Sequence, residues 1–96
     1  MTKRRFGSVW DAIEDTPAEA ENMRVRAKLT NEIIALIEKQ KWTQAQAAAR
    51  LSVTQPRVSD LMRGKIEQFS LDALVNMLAA VGRRVELKIK RESALA

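Results

Sequence analysis

Gln44, Thr54, Gln55, Arg57, Ser59 and Asp60 fall close together in the segment TQAQAAARLSVTQPRVSDLMRGK, from Thr43 to Lys65. Their side chains carry the groups that match base-pair edges. A glutamine amide pairs with adenine N6 and N7, an aspartate accepts from cytosine N4, and an arginine takes guanine or a phosphate. Arg63 and Lys65 follow directly, placed as phosphate contacts would be. Covalent and metal chemistry find little to work with: the chain has no histidine and no cysteine. Most general acid/base, thiolate and metal-ligand schemes therefore lose their usual participants. The adjacent carboxylates Glu14 and Asp15 do not repair this, since neighbouring helical residues diverge by about 100° and cannot converge on one substrate. The expectation is a binding protein without catalysis, cofactor, metal or small-molecule substrate.

Two short helices must hold these side chains. Thr43 with Gln46 three residues on forms a reciprocal cap, so a helix starts there. Ala47, Ala48 and Leu51 give it a narrow inward face whose small side chains let another helix approach closely. Ser52 and Val53 make the turn and Thr54 caps the next helix. Pro56 fits its first turn, where no amide donor is needed. Val58, Leu61 and Met62 supply the inward stripe of this second helix, which turns Gln55, Arg57, Ser59 and Asp60 outward near its start. That is the end of a reading helix that enters the major groove. An RNA target fits less well, because the chain lacks a cluster of aromatics on which unstacked bases would rest.

At 96 residues the chain forms one domain, and a domain of this size buries only about two-thirds of its unfolded surface, so pairing with a second copy would help it. The formal charge of +5 is unevenly placed. Lys41 to Ala96 holds ten Lys/Arg against five Asp/Glu, whereas Met1 to Gln40 has seven of each. The excess positive charge thus lies with the base-reading segment, where counterion release would strengthen binding to a polyanion. No apolar run reaches membrane-spanning length and MTKRR is followed by no apolar signal core, so a soluble, cytoplasmic protein is expected.

The remaining segments read as supports and partner surfaces. In residues 1–22, Phe6, Val9, Trp10 and Ile13 form one apolar edge of a helix of about two turns, beside an acidic group of Asp11, Glu14, Asp15, Glu19 and Glu21. So short a helix does not hold alone in water. Either it folds back as a core staple, or it is a leader that docks on a basic partner surface. Thr16, Pro17 and Glu19 predict the start of a long helix reaching about Lys41, with Leu29, Ile33, Leu36 and Ile37 on its inner face and its turns up to Arg26 projecting. Gly64 stops the reading helix, and Ile66 and Phe69 pack under the following loop. Ser70 caps a last helix carrying Leu71, Leu74, Val75, Leu78 and Val81 inward, which Gly82 ends.

Residues 84–90, RVELKIK, then alternate strictly, with Val85, Leu87 and Ile89 on one side, which predicts a β-strand. No second strand pattern exists in the chain, so its partner is expected to be the same strand of another copy. The competing readings are a strand of a different protein and a disordered basic tail. An antiparallel homodimer would set two reading helices about 34 Å apart, one turn of a palindromic site.

The Thr43–Lys65 segment resembles the helix-turn-helix of phage-repressor-like (Xre-type) regulators. Gln44, Ala48, Val53, Val58 and Leu61 fall where that family has its phosphate-binding glutamine, its small crossing residue and its core. Ser52 departs from it, standing where the family usually has a left-handed glycine. Nearly the whole chain, including SVWDAI, PAEAENMRVRAKL and FSLDALVNMLAAVGRRVEL, further resembles HigA-like antitoxins of bacterial toxin–antitoxin pairs. That resemblance implies a mainly α fold, with a partner-binding leader over 1–22 and a DNA-binding domain over 23–96. It implies autorepression of an operon through Thr43, Gln44, Thr54, Gln55, Pro56, Arg57, Ser59, Asp60, Arg63 and Lys65. It also implies capture of a basic, RelE-like messenger-RNA endonuclease toxin through Phe6, Val9, Trp10 and Ile13. The alternative is a stand-alone Xre-type repressor without a toxin.

Overall fold

A proline at the first helical position, preceded by a residue able to accept the orphaned amides, fixes where the first helix begins. The computed structural model describes residues 16–91. In it α1 spans Pro17–Gln40, and the Thr16 hydroxyl accepts from the Glu19 amide at 3.0 Å. Its first turns are exposed, and the Glu21 carboxylate is hydrogen-bonded by Arg24, which holds its pKa below the usual carboxylate value. The helix runs without a break through residue 22, the expected edge of the leader. Phe6, Val9, Trp10 and Ile13 lie outside the described residues.

α2 spans Gln44–Leu51, α3 spans Gln55–Met62 and α4 spans Leu71–Ala80, with a single 3-10 turn at Ile66–Gln68. α2 packs on α3 and α4, while α1 packs on α3, the 3-10 turn and α4. The core draws Ile33 and Ile37 from α1, Ala47, Ala48 and Leu51 from α2, Val58 and Leu61 from α3, and Leu74, Met77 and Leu78 from α4. Phe69, 1% exposed, plugs it beneath the 3-10 turn. Ala47 is fully buried, so the α2–α3 contact has no room for a longer side chain at that position.

Two expectations are revised, and a third, the strand, is left without a partner. Val75 is 40% exposed and Met77 takes the inward place at 2%, because the stripe of α4 runs through Leu74, Met77 and Leu78, and Val75 sits about 100° around from Leu74. The projecting part of α1 stops short of Arg26, whose guanidinium is half-buried and donates to the Phe69 carbonyl at 3.4 Å. Beyond Gly82, residues 83–91 carry no strand ladder, since a ladder needs a second strand and the described residues supply none. Val85 packs against the core there, while Leu87 and Ile89 are 77% and 88% exposed.

Candidate nucleic-acid interface

The turn between α2 and α3 is built from backbone chemistry that the sequence encodes residue by residue. Thr43 and Gln46 close a full capping box, Gln46 accepting from the Thr43 amide at 2.9 Å and Thr43 from the Gln46 amide at 3.1 Å. α2 ends at Ser52, which adopts the left-handed conformation at φ 61° and ψ 43°. The Val53 amide then donates back to the Ala48 carbonyl at 3.0 Å. Thr54 restarts the chain as a helix, its hydroxyl accepting from the Arg57 amide at 3.4 Å. Between the two helices stand only Ser52, Val53 and Thr54, so α3 is held directly against α2 by Ala47, Ala48, Val58 and Leu61.

This packing leaves the starts of both helices open. Thr43 and Gln44 at the start of α2, and Thr54, Gln55 and Pro56 at the start of α3, are all exposed. Both threonine hydroxyls accept from helix amides, so each keeps its O–H free to donate to an anionic oxygen. The first amides of each helix point the same way as a macrodipole that favours negative charge. Ser59 and Asp60 are half-buried farther along α3, and Arg63 is exposed at its end. Lys65 lies 3.7 Å from the Asp60 carboxylate, an ion pair that keeps a cation beside the helix while drawing on the charge of Asp60.

Arg57 is placed differently from Gln55. Its guanidinium donates to the Gln68 carbonyl at 2.9 Å and lies 4.1 Å above the centre of the Phe69 ring. In this conformation Arg57 braces α3 against the 3-10 turn, and Arg26 of α1 holds the next carbonyl of the same loop. The sequence pattern missed these braces, because nothing in local spacing shows that residues 26, 57 and 69 meet. Arg50, also not singled out, is exposed on α2 and stacks 5.4 Å over Trp42. Among the described residues, a cleft lined by none of these side chains lies between α1, α4 and Val85.

A helix pair joined by a three-residue turn, with its second helix open at the N-terminus, is the geometry of a helix-turn-helix. The sequence profile of a helix-turn-helix domain matches residues 12–90. A solved structure described as an XRE family transcriptional regulator is 36% identical, with a TM-score of 0.70, over 77% of this chain and 83% of that one. This chain belongs to the XRE-type helix-turn-helix family. Its fold is therefore that of the family, a mainly helical bundle in which α2 and α3 form the motif. No curated protein matches the chain. Among the described residues no helix is long and apolar enough to cross a membrane.

Proposed function

We propose that this protein is a sequence-specific duplex-DNA-binding transcriptional regulator that also acts as an antitoxin, with no catalytic step of its own. The observation that carries the DNA reading is the open N-terminal end of α3, where Gln55 is exposed next to the capping Thr54 on a helix fixed by a buried face. In this reading Gln55 and Ser59 address base edges, with Asp60 in reach of a cytosine once Lys65 turns to phosphate. Thr43, Gln44, Thr54, Pro56, Arg63 and Lys65 set the helix on the backbone. Arg57 serves by holding α3 in place. A homodimer, joined through Val85, Leu87 and Ile89, matches the two halves of a palindromic operator.

The antitoxin half rests on the sequence and on the charge split along it. A toxin that cleaves RNA must hold phosphate and is basic, and the acidic leader with Phe6, Val9, Trp10 and Ile13 has the chemistry to cover such a surface. Co-purification from the native locus tests it. A small basic protein is expected with the wild type and is lost with Trp10→Ala. A chain that elutes without a second protein, yet still shifts its own promoter, overturns neutralisation and leaves a stand-alone repressor.

A further inference from the structure

The C-terminal end of the described chain leaves apolar side chains uncovered beside a cleft of mixed lining. Leu29 and Leu36 of α1, Leu78 of α4 and Val85 line a cleft of about 400 Å³ together with the charged side chains of Glu32, Lys39, Arg83 and Arg84. Leu87 and Ile89 continue the chain past it, 77% and 88% exposed. The Arg84 guanidinium pairs with the Glu86 carboxylate at 3.0 Å, the i,i+2 spacing at which side chains share a face of extended chain.

We propose that each cleft is completed by Ile89 of a second copy, in an antiparallel strand pair whose two-fold axis passes through Leu87. The inference rests on the homodimer of the previous section and adds its register. In an antiparallel pair, directly opposed residues share a face, so the apolar set can meet itself only when the axis falls on a single residue between 85 and 89. An axis at Leu87 places Leu87 against its own copy and Val85 against Ile89 of the second copy. The side chain of that Ile89 is thereby carried to the mouth of the cleft that Val85 lines. The opposite face then pairs Glu86 with Lys88 of the second copy, twice by symmetry.

The neighbouring registers are worse. An axis at Glu86 opposes two glutamates and sets Arg84 against Lys88. One at Lys88 opposes two lysines. Moving it to Val85 pairs Glu86 with Arg84 but leaves Ile89 outside the paired strands, and moving it to Ile89 sets Lys88 against Lys90. The favoured register does put Arg84 against Lys90, at the solvated ends where Arg84 already has Glu86 beside it.

Because the chain has no cysteine, single-cysteine variants read the axis directly. Residues opposed across the axis lie about 4.5–5.5 Å apart at Cα, inside disulfide range, whereas positions displaced by one residue stand about 7–8 Å from their own copies. Val85→Cys, Glu86→Cys, Leu87→Cys and Lys88→Cys are oxidised under identical conditions, with sedimentation of the wild type in parallel. Covalent dimer should form with Leu87→Cys, several-fold above the others. In a separate arm, Glu86→Lys and Lys88→Glu should each raise the dimer dissociation constant by about tenfold, and the double variant should restore it. Dominant cross-linking at another position, or a double variant weaker than either single one, overturns this register while the dimer stands. A wild type that sediments as a monomer overturns the dimer and the register together.

Discussion

Arg57 shows how one side chain can be pulled from a reading role into a structural one. At the start of α3 its position suits a base or phosphate contact, yet its guanidinium is spent on the Gln68 carbonyl and the Phe69 ring. Arg57→Ala should therefore lower unfolding free energy by about 1–2 kcal/mol in urea titration, from a lost charged hydrogen bond and a lost cation–π contact. A variant with unchanged stability and selectively lost operator affinity would return Arg57 to the readers. Ser52 makes the converse case. A non-glycine residue in the left-handed region costs on the order of 1 kcal/mol, so Ser52→Gly should raise stability by up to that amount, offset in part by the entropy of glycine in the unfolded chain. Calorimetry that finds Ser52→Gly destabilised would mean the serine side chain supplies something its backbone conformation does not reveal.

At the scale of elements, what could be read from the sequence was what is local. The caps at Thr16, Thr43, Thr54 and Ser70, the stop at Gly64 and the inner faces of α1 to α3 follow from side chains within a few residues of one another. The open start of α3 was legible for the same reason: once Val58 and Leu61 are inside, Gln55 must be outside. What escaped depended on distant partners. The choice of Met77 over Val75, the 3-10 turn over Phe69 and the bracing by Arg26 are set by how α4 and the loop land on α1, and no spacing within α4 reports that. The α2–α3 crossing offers a test of packing at this scale. Ala47→Leu, at a position with no exposure, should cost about 1–3 kcal/mol by forcing the two helices apart, and it should weaken DNA binding by displacing α3. A stable variant with full affinity would show that the crossing tolerates far more space than its burial implies.

For the whole molecule, charge and surface are divided between the two ends of the chain. The positive excess beyond Lys41 sits with the helix-turn-helix, while the balanced first part carries the acidic leader and the exposed start of α1. On the proposed reading, the regulator engages a polyanion with one end and a basic protein with the other. If the proposed toxin changes the affinity for the operator, linkage requires the operator to change toxin affinity by the same factor. The uncovered apolar residues Leu87 and Ile89 add a third surface, suited to a second copy, which would turn one reading helix into two. The DNA reading at α3 underlies all of this, and it is tested most directly by titrating wild type and Gln55→Ala against the protein's own promoter and against random duplex at several salt concentrations. The account predicts that wild type prefers the promoter. Gln55→Ala should lose about 1–3 kcal/mol there while keeping its affinity for random duplex and its salt slope. Equal losses on both duplexes, or a wild type with no preference, would contradict it.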